Sequence, residues 1–340
     1  MTTSPQPKRP PLSSPRPNPL VTVIMPAYDP GPTLRGAIAS VLRQSLSDLE
    51  LLLIDDGSEE DIAPYLPSDP RLRVIRHRRN RGYAAATATG IAAATGRWVT
   101  FVDADDAIDP SYLEQMNATA RRTGAAVVMA PLMTVQPNGT TGQLAWDPPA
   151  GPTGSGRDAI RRILQGRLIA SQHLLLERAQ LRHPRTAPNT FSDLLFLVSN
   201  LAHVDQVAYE PRALYRYSIH PGSVTGSLRE SVWDLGRLPA QLEPELEHAF
   251  PADEAATLLR CAQVLALTQM LHKAALEPRP TALRAEVTRW CRHRITPAVL
   301  TAAVRTGQHR SAAELLLARI SPAAHRRAYR AHLRRGATGP

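Results

Sequence analysis

Three carboxylates fall within four residues at Asp103, Asp105 and Asp106, directly after the apolar run Trp98-Val99-Thr100-Phe101-Val102. Carboxylates this close repel one another and resist desolvation, so such a cluster either lies open to water or surrounds a divalent cation. An Asp-x-Asp at a strand's carboxyl end offers hard oxygen ligands, which suit Mg²⁺ or Mn²⁺, and such an ion can clamp a substrate's phosphates. The competing expectation is a solvated strand end with an Asp-rich helix cap, because Asp109-Pro110-Ser111 follows directly. A second acidic pair, Asp55-Asp56, closes the apolar run over residues 49–54 and leads into Gly57-Ser58.

The elements that must position these groups are legible as a pattern. Val21-Thr22-Val23-Ile24-Met25-Pro26-Ala27-Tyr28 is an apolar, β-branched run stopped by proline, which predicts a buried first strand. Leu34, Ile38, Val41 and Leu42 recur with helical spacing over residues 33–46. Further strands are expected at 49–54, 72–76, 98–102 and 125–130, with helices over 82–95, which is Ala-rich, and 111–123. The alternation is βαβαβ, and open sheets of that kind bind ligands in the crevice beyond their carboxyl strand ends, where both acidic clusters must fall.

Taken in order, Pro26-Ala27-Tyr28, Ser45-Leu46-Ser47-Asp48-Leu49-Glu50, Asp55-Asp56-Gly57-Ser58, Asn80-Arg81-Gly82, the stretch from Gly90 to Gly96, and the stretch from Phe101 to Asp106 resemble the family 2 inverting glycosyltransferases. The resemblance covers roughly residues 20–225 and implies a GT-A fold, a Rossmann-like mixed α/β sheet. It implies that Tyr28, beside Pro26, stacks near a nucleotide base and that Asp56 hydrogen-bonds that base, at the imide N–H if it is uracil. It also implies that Asp103 and Asp105 line the ribose and diphosphate-metal site, with Asp105 the direct ligand of Mn²⁺ or Mg²⁺; Asp55 is either a second contact or a brace for the turn. Such an ion stabilises the charge that grows on a nucleotide-diphosphate leaving group, so the resemblance carries metal dependence with it.

An inverting transfer needs a base on the face opposite the leaving group. In the family this is the Asp of a Glu-Asp pair at a helix start, and the matching position in Asn189-Thr190-Phe191-Ser192-Asp193-Leu194 is Asp193. Ser192 stands where the Glu is expected, and a helix-start Asp is also favoured simply by the positive end of the helix. The segment from Tyr215 to Thr225 resembles a lid over the donor diphosphate, with Arg216, His220 and Ser223 as contacts; read by residue type alone it is an aromatic edge strand followed by a turn. One departure stands out. Relatives carry Ala-Arg-Asn in the helix after Asn80-Arg81-Gly82, whereas this chain reads Ala86-Thr87-Ala88. Arg81, or one of Arg76, Arg78 and Arg79, is the available substitute; otherwise the donor has changed or catalysis is lost.

Composition bounds what remains. The 340 residues, 43% of them hydrophobic, suffice for one substantial α/β domain and a second unit. The boundaries expected are a Pro-rich leader over 1–19, the GT-A domain over 20–227 and a helical, basic region over 228–340. Ser311-Ala312-Ala313-Glu314 predicts a capping box, and the Gly/Pro/Thr-rich residues 140–157 predict a mobile loop on the acceptor side. No apolar run reaches the about 18 residues of a membrane span, and Cys261 and Cys291 lack metal-site spacing, so a cytoplasmic protein with plain thiols is expected. Residues 281–340 hold twelve Arg against two Glu, within a formal net charge of +10. That excess either draws the chain to an anionic polymer, lipid-linked phosphate or membrane surface, or is a solvated helical face. No motif for specific nucleic-acid binding is present. The expected activity is transfer from a UDP-sugar to a cell-surface glycan or a polyol-phosphate polymer of the teichoic-acid kind. The alternative is a degenerate domain that binds nucleotide or glycan as a partner subunit.

Overall fold

A computed structural model describes residues 18–169, 171, 173–182, 192–219 and 227–337, with side chains through residue 333. The expected leader therefore lies almost wholly outside the described residues. The first half alternates as the sequence predicts: β1 (Val21–Ala27), α1 (Thr33–Leu42), β2 (Leu49–Asp55), β3 (Leu72–Arg76), α2 (Tyr83–Ala93), β4 (Trp98–Phe101), β5 (Ala107–Ile108), α3 (Tyr112–Thr123) and β6 (Val127–Met129). There follow β7 (Leu132–Val135), β8 (Thr141–Gln143), β9 (Thr153–Gly154), α4 (Gly156–Leu164), β10 (Leu175–Glu177), α5 (Ser192–Leu201), β11 (Val207–Tyr209) and β12 (Tyr215–Ser218). Six helices close the chain: α6 (Val232–Ala249), α7 (Ala252–Leu276), α8 (Ala282–Arg294), α9 (Pro297–Arg305), α10 (His309–Ile320) and α11 (Pro322–Ala337).

The main sheet runs β3-β2-β1-β4-β10-β6-β11-β9, and a second sheet runs β5-β12-β7-β8. β1 pairs in parallel with both β2 and β4, so the carboxyl ends of β2 and β4, and with them both acidic clusters, come to the same edge. β10 enters antiparallel between β4 and β6, a placement that periodicity cannot reveal. Alternate residues of the central strands face opposite layers, as the two-residue period of a strand demands. Val21, Val23 and Met25 pack with Leu34 and Ile38 of α1 and Leu113 and Met116 of α3. Ile24, Leu52, Ile54 and Phe101 pack on the other face, in a cluster that continues through Leu195 of α5 into Leu235, Leu258 and Leu271 of the closing helices. The helical region thus extends the core of the sheet and has no separate core of its own.

Two details differ from expectation. Ser311 lies inside α10 and does not cap it; the residue before the helix is Gln308, and Glu314 instead engages Arg310 and His272. Residues 140–157 contain β8 and β9, and Asp147 there pairs with Arg167 at 2.6 Å and Arg162 at 3.5 Å, so the segment is tied down by charge.

The motif glycines are explained by close backbone approach. A Cβ on Gly90 would lie 2.4 Å from the Ile24 side chain, and one on Gly96 would lie 2.6 Å from the backbone nitrogen of Thr22. Gly57, at φ +75°, would meet the Arg79 backbone at 2.5 Å. Gly96→Ala is expected to lower stability by about 1–3 kcal/mol through overpacking against immovable backbone. Gly36→Ala, in α1 with nothing within 4 Å, is expected to raise it by about 0.5–1 kcal/mol through helix propensity. Urea unfolding of the two variants checks both signs.

Candidate active site

The loop after β4 is held by groups that arrive from three directions. Asp103 Oδ1 accepts a hydrogen bond from the Tyr83 hydroxyl at 2.7 Å, and its Oδ2 lies 3.2 Å from His173 Nε2. Asp106 is buried, accepting the Tyr215 hydroxyl at 2.7 Å on Oδ2 and the Ser218 backbone N–H at 2.7 Å on Oδ1. The Tyr215 oxygen in turn accepts the backbone N–H of Asp103 at 3.1 Å. His173 stacks on the Tyr215 ring with centroids 4.0 Å apart and is held from behind by Ser171. Asp109 takes the turn-capping part, accepting from both the backbone N–H and the hydroxyl of Ser111. The acidic run therefore divides: Asp109 caps, Asp106 braces, and Asp103 and Asp105 stay partly exposed.

These placements shift the titrations. Burial pushes the Asp103 carboxyl up, but the His173 charge and the hydrogen bonds from His173 and Tyr83 outweigh it and hold it below the usual carboxylate range. Burial and then the Asp103 charge push Asp106 up to about 7, against the opposing pull of His173. Burial alone would lower His173, yet the charges of Asp103, Asp106 and Asp193 hold it above the ordinary imidazole value. Asp193, second residue of α5, is raised chiefly by burial, with Asp103 adding to the rise and His173 and the Leu194 backbone opposing it. Asp193 thus shares one electrostatic site with a strand end ninety positions earlier in the chain.

The other acidic cluster is built differently. Asp56 is 3% exposed, and its carboxylate accepts His77 Nδ1 at 2.6 Å, the Arg81 N–H at 3.0 Å and the Gly82 N–H at 2.7 Å. In this conformation it organises the Asn80-Arg81-Gly82 turn through these three donors. Asp55 Oδ1 accepts the Ser58 N–H at 2.9 Å and its Oδ2 forms an ion pair with Arg76 at 3.2 Å that lacks hydrogen-bond alignment, so Asp55 braces the turn. Pro26 is buried at the end of β1. Tyr28, 44% exposed, stands on a loop fixed by Asp29, which takes φ 43° and accepts the Glu59 and Glu60 N–H groups. Arg81 is exposed beside this turn.

Arg216 is not drawn to the carboxylate cluster. It is exposed, its ion-pair partner is Asp109 at 4.0 Å, and strand alternation sends it to the face opposite Tyr215. His220 and Ser223 lie outside the described residues, as do residues 189–191 before Asp193. Sequence reasoning passed over Tyr83, His173, Tyr215 and His77. Tyr83 was within reach of inference, because it follows Asn80-Arg81-Gly82 and precedes the Ala86-Thr87-Ala88 departure; Thr87 itself only donates to the Ala84 carbonyl within α2. His173 offered no local signal at all.

The donor set fits a hard divalent cation. Asp103 keeps unused lone pairs despite its two partners, Asp105 is partly exposed beside it, and all the oxygens are carboxylate.

Known proteins resemble this chain in sequence and in fold. Residues 22–181 match the family model described as Glycosyl transferase family 2. Succinoglycan biosynthesis protein ExoO of Rhizobium meliloti is 33% identical over 226 residues, 62% of this chain and 64% of that protein. The UDP-Glc:alpha-D-GlcNAc-diphosphoundecaprenol beta-1,3-glucosyltransferase WfgD of Escherichia coli is 36% identical over 89 residues, 26% of this chain and 35% of that one. The chain thus spans less than two thirds of each of these relatives. Among solved structures, S. aureus TarS 1-349 in complex with UDP-GlcNAc superposes with a TM-score of 0.64 at 17% identity, over 93% of this chain and 92% of that one, a likeness of fold.

Folded Asp106 keeps its proton up to about pH 7, whereas an unfolded Asp releases it near ~4. Its contribution therefore favours the folded state below about pH 4 and is lost as the pH rises towards 7. In chelator, wild type should lose stability relative to Asp106→Asn across that window in urea titrations; a constant difference would reject the raised carboxyl.

Proposed function

Because the chain belongs to the family 2 glycosyltransferases, we propose that it transfers a sugar, with inversion, from a UDP-sugar to a hydroxyl of a glycan or polyol-phosphate acceptor. The observation that carries this reading is the convergence of Asp193 on the Asp103 and His173 site, since an inverting transfer needs a base near the donor site, on the face of the sugar opposite the leaving group. Burial that raises the Asp193 carboxyl brings it nearer the operating pH and improves it as a proton acceptor. Tyr28 supplies an exposed aromatic face for the base, and the Asp56 turn sets the walls of the pocket around it.

In the proposed step the acceptor oxygen forms its bond to the anomeric carbon, the bond from that carbon to the diphosphate oxygen breaks, and the acceptor proton passes to Asp193. A divalent Mn²⁺ or Mg²⁺ held by Asp105 and Asp103 would supply charge stabilisation for the departing diphosphate. Tyr83 and His173 keep the Asp103 carboxylate ionised and aimed, a service that the missing Arg-Asn pair at Thr87 and Ala88 does not perform here. A glycan or lipid-linked acceptor is supported by what the names of ExoO and WfgD state for those proteins. No helix among the described residues is long and apolar enough to cross a membrane. The Arg-rich stretch after residue 281 would supply attraction to an anionic polymer or a membrane face.

Turnover of UDP-, GDP-, CDP- and dTDP-sugars with Mn²⁺, Mg²⁺ or chelator tests the reading. Metal-dependent use of one donor, abolished in Asp105→Ala, is the expected result. Asp193→Asn should lose about 10²–10⁴ of kcat while UDP binding by calorimetry is unchanged. UDP binding with no turnover of any donor, polymer acceptors included, would favour the non-catalytic partner subunit instead.

Tyr83→Phe should release Asp103 and raise its carboxyl pKa, since the lost hydrogen bond is one of the groups that depress it. The measurable consequence is weaker Mn²⁺ activation than in wild type at the same pH. Identical activation curves for variant and wild type would remove Tyr83 from the site.

A further inference from the structure

Far from the sheet, three helices bring together two imidazoles and a carboxylate. His272 of α7, Glu314 of α10 and His325 of α11 place one candidate ligand atom each within 4.8 Å of one another. We propose that this cluster is a second, transition-metal site built from two histidines and one carboxylate, with Zn²⁺ as its occupant, that ties α10 and α11 to α7.

Each ligand is set up by its surroundings. His272 Nε2 and Glu314 Oε2 are 2.8 Å apart, while Arg310 donates to the other Glu314 oxygen at 3.0 Å and fixes the carboxylate. The Tyr329 ring stacks on His272 with centroids 4.0 Å apart and an interplanar angle of 11°, which orients that imidazole. His325 is only 4% exposed, yet its ring makes no hydrogen bond with any described residue. An imidazole without a hydrogen-bond partner keeps a ring nitrogen available to a metal. Imidazole nitrogens favour Zn²⁺ over Mg²⁺ or Mn²⁺, so this cluster and the carboxylates at β4 select different ions. His272 and Glu314 remain 18% and 22% exposed, leaving an entry path and room for water as the fourth ligand. Binding must widen the His272 to Glu314 separation to about 3.4 Å, the ligand spacing of a tetrahedral ion with ~2.0–2.1 Å bonds. The proton that His272 Nε2 gives to Glu314 moves to Nδ1 or to solvent as the metal binds, and no redox change is involved.

The test uses the full chain stripped with chelator and retitrated with Co²⁺ and Zn²⁺. Wild type and Asp105→Ala should both bind one Co²⁺ with the visible absorption of a tetrahedral, nitrogen-ligated ion, and Zn²⁺ should displace it. His325→Asn should lose that absorption and weaken Zn²⁺ binding by at least about tenfold, with helical circular dichroism retained. Should His325→Asn not fold, His272→Asn and Glu314→Gln, both partly exposed, are expected to show the same loss. Equal Zn²⁺ affinity in wild type and these variants, or no tetrahedral Co²⁺ signal in wild type, would overturn the proposal and leave the cluster an ion pair beside an aromatic stack. Because Asp105→Ala reports on the strand-end carboxylates alone, failure here and failure of the transferase reading are separable.

Discussion

Burying carboxylates against each other is the constraint around which this molecule is organised. Asp103 and Asp106 sit within one short loop, and a low-dielectric site would expel both charges unless donors and a counter-charge met them. Those partners are Tyr83 from α2, Tyr215 and Ser218 from β12, and His173 from the turn before β10. Each comes from a different part of the chain, so the sheet order, the second sheet and the polarity of β10 all serve one local electrostatic demand. The result is uneven: one carboxyl is held ionised at the crevice, and its neighbour is driven up to about 7 as a brace.

The strand register shows how this is achieved. β10 runs antiparallel to β4 with Leu176 opposite Val99, so the residues just before β10 must flank the residues just after β4. His173 is delivered beside Asp103 by that register. In the second sheet Tyr215 lies opposite Ile108 and Arg216 opposite Ala107, which carries Ser218 back towards Asp106. Alternation then sends Tyr215 inward and Arg216 out to Asp109. A one-residue slip in β12 would exchange these roles and leave Asp106 without its donors.

The helices that close the chain obey a different logic. Their apolar residues continue one layer of the sheet's core through α5, α6 and α7, so their stability depends on the sheet they cover. Several of their arginines are spent on backbone carbonyls: Arg330 reaches the last carbonyls of α7, and Arg319 reaches Ile295. Cations at helix carboxyl ends are favoured by the exposed carbonyls and the helix dipole. Part of the Arg excess is therefore structural and part, such as Arg289, Arg305 and Arg327, remains on the surface.

By itself the sequence determined what local periodicity and short motifs can encode. β1 to β4, α1 to α3 and the shared edge of the two acidic clusters follow from runs of two-residue and helical spacing, and the glycines at 57, 90 and 96 mark places where backbone meets its neighbours closely. Ordered motifs also pointed to family 2 before any contact was known. The tertiary structure alone decided which carboxylates are used and how. Asp56 organises the Asn80-Arg81-Gly82 turn, Ser311 looked like a cap and lies within a helix, and His173, with no motif around it, becomes a direct partner of Asp103. The physical reason is range. A strand or helix is specified by neighbours a few positions away, but the charge state of a buried carboxyl is specified by whichever donors the register of distant strands brings within about 3 Å.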